Sequence, residues 1–235
     1  MFGREFGLYL GTKHSYKDLG LILSERDLGK PEPQTKRVEV PTKDGSIDMT
    51  ESVSNDVRYK DRTVKLTFYY PEFRSKWSAK FSELQNMLNG QKLKLIFDDD
   101  IAFYYEGRLS VNEWDSEGSV GKIVITAICD PYKYDVQSSA AEWVWDTFDF
   151  ETGVINEGGD IVVDGTATID IIARRKKSYP IITTSTAMTV SYDGETFNLV
   201  KGENKIYDIL FSEGINELTF TGMGTVTIDY VGGSL

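Results

Sequence analysis

One cysteine, Cys129, and one histidine, His14, occur in 235 residues. A single thiol excludes an internal disulfide framework, so folding in a reducing cytoplasm is the expectation. No apolar run approaches the roughly 18 residues of a membrane helix, and Met1-Phe2-Gly3-Arg4-Glu5-Phe6 lacks the basic-then-apolar layout of a secretory signal. Positive charge is short too. Lys+Arg number 26 against 37 Asp+Glu, a net charge of −11. The deficit is uneven: residues 1–135 hold 20 against 22, and residues 136–235 hold 6 against 15. A phosphate backbone requires a positive footprint, so specific nucleic-acid binding is not expected. The basic run Arg174-Arg175-Lys176-Lys177 stands in the acidic half and reads as a solvated loop.

Catalytic and ligand-binding patterns are equally sparse. His14 and Ser15 are adjacent, but no nucleophile-elbow motif accompanies them. Gly118-Ser119-Val120-Gly121-Lys122 has the wrong spacing for a phosphate-binding loop, and Asp44-Gly45-Ser46-Ile47-Asp48 lacks the alternating ligands and terminal Glu of an EF-hand. Asp98-Asp99-Asp100 offers oxygen ligands, yet three adjacent carboxylates cannot all point inward, so a solvated hairpin tip is expected. Cys129 ends an apolar strand and reads as a small core residue. No catalytic residue, metal site or cofactor is therefore assigned.

What the sequence does contain is β pattern. Residues 122–128, Lys-Ile-Val-Ile-Thr-Ala-Ile, are apolar or β-branched on both faces, the mark of a buried strand. Ile123, Ile125 and Ala127 would face one side, and Val124, Thr126 and Ile128 the other. Pro131 stops that strand by removing a ladder donor and fixing φ. The small, polar residues 136–141 that follow read as a linker, dividing the chain into domains at 1–135 and 142–235.

In the first domain, alternation at Val38/Val40 and at Val64/Leu66/Phe68/Tyr70 marks strands, with residues 48–61 as a polar loop. Trp77, Phe81, Leu84 and Leu88 form a helical stripe over 75–89, with Ser75 placed to cap it and Gly90 to end it. A hairpin then flanks Asp98–Asp100, and a loop with Asp115-Ser116-Glu117-Gly118 leads to the strand that closes the domain. In the second domain short strands alternate with turns such as Asp164-Gly165 and Asp193-Gly194, the spacing of an all-β sandwich. Gly202-Glu203-Asn204 and Gly214-Ile215-Asn216 repeat a turn signal. Trp143, Trp145, Phe148 and Phe150 either build the core of a sandwich strand or, if exposed, a platform that stacks on sugar rings.

Five stretches in this order resemble the distal tail (Dit) family of long-tailed siphophages. They are His14-Ser15-Tyr16-Lys17-Asp18-Leu19-Gly20; Val40-Pro41-Thr42-Lys43-Asp44-Gly45, with Thr42 where Gly is usual; and Phe97–Asp100 with Tyr104–Arg108. The others are Cys129-Asp130-Pro131-Tyr132-Lys133-Tyr134 and Gly214–Gly222 running on to Asp229-Tyr230. The resemblance implies a mainly β chain: an N-terminal tail-tube-like domain with one packed helix, and a C-terminal galectin-like or carbohydrate-module-like β-sandwich. It also implies a non-enzymatic virion protein, made in the host bacterial cytoplasm and assembled as a hexameric ring. That ring would join the tail tube to the tail tip or baseplate, pass DNA, and contact tail-tip, tail-associated lysin or receptor-binding proteins. Two other readings are a host-glycan-binding module, with Trp143 and Trp145 as candidate stacking residues, and an enzyme acting on cell-wall polymers.

Overall fold

The computed structural model describes residues 6–52, 55–117, 120–141 and 158–235. Trp143, Trp145, Phe148 and Phe150 lie outside these residues. The chain is mainly β and forms two compact units, residues 1–99 with 105–132 and residues 100–104 with 133–235.

The first unit contains β1 (Leu8–Leu10), β2 (Lys13–His14), β3 (Ile22–Asp27), β4 (Arg37–Glu39), β5 (Ser46–Asp48), β6 (Arg62–Tyr70), α1 (Trp77–Leu88), β7 (Lys92–Phe97), most of β8 (Phe103–Glu117) and β9 (Val120–Cys129). Seven strands make one antiparallel sheet in the order β2-β1-β7-β8-β9-β6-β3. Period-two alternation supplies its inner face. Val64, Leu66 and Phe68 of β6, and Ile123, Ile125 and Ala127 of β9, are buried in the same cluster as Leu84 and Leu88 of α1. The helix therefore lies on the sheet as its stripe requires. Burying Trp77, Leu84 and Leu88 contributes roughly 5–9 kcal/mol before entropy, an upper estimate. Phe81 is only partly buried, tilted against Trp114 with ring centroids 5.4 Å apart.

Two details differ from the sequence reading. Ser75 does not cap α1. A 3₁₀ turn over Arg74–Lys76 runs straight into the helix, and the Trp77 N–H bonds the Arg74 carbonyl instead. Residues 115–117, expected as a loop, continue β8, which stays paired with β9 after a bulge between Val111 and Glu113 shifts the register by one residue. Gly90 does end the helix, at φ +78°.

The second unit contains β10 (Lys133–Asp135), β11 (Ile161–Ala173), β12 (Ile181–Thr184), β13 (Met188–Tyr192), β14 (Glu195–Leu199), β15 (Gly202–Asn204), β16 (Gly214–Asp229) and β17 (Gly233–Ser234). Its organiser is β16. On one side it pairs with β11 along that strand's whole length. On the other, β12 and β13 follow one another in a single constant register, Ile181 opposite Asp229 through to Ser191 opposite Thr219. β13 in turn pairs with β14, and β12 with β15.

The unit is thus a stack of long antiparallel strands, each interrupted or hinged at one level. At that level Gly165 faces Gly222 and Val163 faces Gly224, with Ser185–Ala187 breaking the strand beyond. Gly165, Gly222 and Gly224 all have positive φ, at +86°, +153° and +147°. The inner residues on both sides of this level, Leu218 and Phe220 before it and Val226 and Ile228 after it, share one core. The Asp164-Gly165 turn expected between two strands is absent: β11 and β16 are each a single strand. Glycine at the hinge adopts an extended backbone of positive φ, so the ladder runs through it.

Cys129 faces the core beside Gly107, and burial pushes its thiol up to about 12, with nearby Arg62 opposing and Asp130 and Asp61 adding to the shift. Native protein should therefore resist alkylation by iodoacetamide at pH 8, whereas guanidinium-unfolded protein reacts fully. Rapid labelling of the native chain would contradict this burial.

Candidate assembly surfaces

The His14-Ser15 opening is a structural lock. His14 is buried, and its Nδ1 accepts the N–H groups of Tyr16 and Lys17 at 3.1 Å each. Both partners are donors, so the ring carries its hydrogen on Nε2, which faces both Asp98 oxygens at 3.1 Å. Asp98 also accepts the Gly7 N–H at 2.7 Å, and the Ser15 hydroxyl accepts the Leu8 N–H at 3.2 Å. A Cβ at Gly7 would lie 2.4 Å from the Ser15 Oγ, so only glycine fits there. Sequence reasoning found no triad here, and the geometry shows that these groups instead pin β1 to β7.

Asp98-Asp99-Asp100 is not merely a solvated tip. Asp99 holds Arg26 in a two-pronged pair at 2.6 Å, and that guanidinium lies 5.0 Å from the Phe97 ring centroid. Within the second unit, Asp100 binds Lys133 at 2.8 Å, and the Lys133 ammonium sits 3.9 Å over Phe103. Each carboxylate thus fixes a different donor. No signal in the sequence names those partners, because all three are distant along the chain. Among the described residues, no three His, Cys, Asp or Glu side chains converge as a metal would require.

The basic run is likewise engaged rather than solvated at its start. Arg174 Nε donates to both Asp135 oxygens at 2.8 Å, and its guanidinium covers the Phe103 ring at 4.8 Å. Lys176 donates to the Tyr134 hydroxyl at 3.1 Å and lies 4.4 Å over that ring. Aromatic faces and a carboxylate draw these cations in, where a lone run would stay hydrated. The segment expected as a linker is tied down as well. Ser139 is buried, its hydroxyl donates to the Ile228 carbonyl at 2.7 Å and accepts the Tyr230 N–H at 2.9 Å.

Residues 28–52 and 55–61 leave the sheet of the first unit as an arm. Its base is a short ladder, with Pro33 bridged to Tyr59, and backbone bonds Gln34 N–H to Arg58 C=O at 2.8 Å and Lys60 N–H to Glu32 C=O at 2.9 Å. Beyond it, among the described residues, β4 and β5 pair only with each other. The hairpin displays Val38, Val40, Ile47 and Met49 to solvent. A two-stranded ribbon is marginal in water by itself, and four exposed apolar side chains add no core.

At its turn the chain departs from the pattern of the family it resembles. Thr42, standing where glycine is usual, has φ +75°. A β-branched residue in the left-handed region costs about 1–2 kcal/mol relative to a relaxed one. Thr42→Gly should slow hydrogen exchange of the β4 and β5 amides several-fold while leaving the global melting temperature unchanged. Faster exchange in the variant would contradict the strain.

On the outer face of β9, Val124 is buried and Ile128 is 61% exposed.

No protein-family model matches the chain, and no curated protein matches it. A solved structure does. The crystal structure of SPP1 Dit (gp 19.1) aligns over 98% of this chain and 99% of its own, with a TM-score of 0.65 and 13% identity. This chain has the fold of a Dit protein. SPP1 Dit is described as a paradigm of the hub adsorption apparatus in phages that infect Gram-positive hosts. The match spans both units, so the mainly β architecture expected from the Dit resemblance is found over the whole chain.

Proposed function

We propose that this chain is the ring-forming hub of a siphophage tail, a non-enzymatic virion protein linking the tail tube to the tail tip or baseplate. The observation that carries the reading is the full-length match to the Dit fold, both units together and in one chain. A fold shared at 13% identity is an analogy, so the surfaces must support it separately. They do so through the arm over residues 28–52 and 55–61, which displays apolar side chains with no core of its own. A subunit that reaches out with one surface and receives on another makes a heterologous contact, and such contacts close into rings when the rotation allows.

In this reading six copies assemble through the first unit and the second stands at the periphery. DNA passes through the centre without sequence-specific contact. Neighbours are the tail tube protein on one side and tail-tip, lysin or receptor-binding proteins on the other. Light scattering of the full chain at micromolar concentration should give about 159 kDa, six copies of 26.5 kDa, with rings in negative stain. A protein that stays at one copy across that range, with no rings, would refute the reading.

A further inference from the structure

We infer that the outward face of β12, β15 and the end of β16 is a binding platform for an uncharged polysaccharide. It is anchored by Tyr207 and Tyr179, neither of which carried a functional assignment from the sequence. The inference concerns the second unit alone and does not depend on the hub reading.

Tyr207 is 68% exposed and Tyr179 41% exposed, and neither ring belongs to the core. They are nevertheless held. Their centroids lie 5.4 Å apart at 72°, an edge-to-face pair. The segments carrying them are clamped by two backbone bonds between Ser178 and Phe211, at 3.2 and 3.0 Å. Beside them Pro180, Ile209 and Phe211 are buried. Large rings displayed on rigid backbone lose little entropy when a ligand stacks on them.

Alternation extends the surface from the rings. Thr183 pairs with Glu203 across β12 and β15, and with Thr227 across β12 and β16. Ile181 pairs with Asp229 in the next row, and just beyond the strand ends Lys205 stands exposed with the two tyrosines, its ammonium 5.6 Å from the Tyr207 centroid. The face therefore presents two ring planes followed by rungs of hydroxyl, amine and carboxylate. Those rungs lie about 4.8 Å apart across strands and about 6.8 Å apart along them.

That composition selects the ligand. Pyranose rings offer apolar C–H faces for the tyrosines and hydroxyls that both donate and accept for the rungs. Residues 136–235 hold 6 Lys+Arg against 15 Asp+Glu, which repels polyanions. A protein partner would need about 800 Å² of well-packed contact per side, and this narrow strip of mixed charge supplies two aromatic anchors. One ring stacked on two tyrosines is a weak site, and a polymer that repeats its sugar units raises the effective concentration of ligand at it.

Affinity electrophoresis of the full chain provides the test, in native gels cast with amylose, galactan or hydroxyethyl cellulose, and with anionic polygalacturonate. At least one neutral polymer should retard the protein, and polygalacturonate should not. Tyr207→Ala should weaken retardation about tenfold, Tyr207→Phe should keep most of it, and the melting temperature should stay unchanged. Absence of retardation in all three neutral gels overturns the proposal. So does retardation that survives the Tyr179→Ala/Tyr207→Ala double variant, or equal retardation by polygalacturonate. If that double variant instead loses mass in light scattering, the face is a subunit contact and the proposal falls, while the hub reading stands.

Discussion

Asn216→Leu should unfold the second unit at temperatures where the native chain is intact. The side chain is 4% exposed, and its amide donates to the carbonyls of Ser212 at 2.8 Å, Gly214 at 3.1 Å and Ile171 at 3.4 Å. Its oxygen accepts the Ser212 N–H at 3.1 Å and the Tyr192 hydroxyl at 3.0 Å. Leucine matches the volume but leaves several buried partners unpaired, each at about 1–3 kcal/mol. A cost of roughly 3–6 kcal/mol is comparable to the net stability of a small domain, and corresponds to a melting shift on the order of 12–48 °C.

The internal control is Asn204. It repeats the arrangement twelve residues earlier, bonding the carbonyls of Val200, Gly202 and Ile182 and accepting the Val200 N–H. Gly202 and Gly214 sit at φ +100° and +103° in the two copies. Asn204 is only half-buried, so Asn204→Leu should cost less than half as much. Calorimetry on both variants decides the matter. Equal shifts, or none for Asn216→Leu, would show that burial of this hydrogen-bonded turn does not set the unit's stability.

The echo of Gly-x-Asn was visible in the sequence, because a turn residue and its polar partner are local. So were the alternating strands and the Trp77–Leu88 stripe, where one period decides the element. What escaped was set by pairing between distant residues. Asp164-Gly165 has the composition of a turn, yet Gly222 and Gly224 opposite keep it inside a strand. The triple aspartate looked like an exposed tip because Arg26, Lys133 and His14 meet it only in three dimensions. The stretch 48–61 read as a polar loop, whereas the pairing of Arg37–Glu39 with Ser46–Asp48 just before it builds a hairpin that alternation at Val38 and Val40 shows only in part. Lys80 shows the same limit on the helix. It is almost buried, 3.1 Å from Glu83 and 5.9 Å from the Tyr70 centroid, where the stripe alone places nothing.

On the proposed hub reading, replacing Arg37–Asp48 by a short Gly-Ser linker should abolish assembly without unfolding the subunit. None of the replaced residues belongs to the buried cluster of the first unit, so its sheet and helix lose no core. The base of the arm, Pro33 with Tyr59 and Gln34 with Arg58, closes the shortened loop unchanged. A long segment displaying Val38, Val40, Ile47 and Met49 gains nothing in a monomer, since holding a marginal ribbon ordered in water costs entropy with little burial to offset it. Its covering in an assembly would contribute up to roughly 4–6 kcal/mol per arm from half-exposed side chains, enough to decide between ring and monomer when repeated around a closed set of contacts. Light scattering should therefore find the truncated chain near the mass of one copy, with a melting temperature within a few degrees of the intact protein. Val38→Glu with Ile47→Glu should act in the same direction, because both substitutions place charge where the cover would be apolar. A truncated chain that still assembles to the full mass would show that the ring closes through other surfaces, and that the arm reaches a different partner.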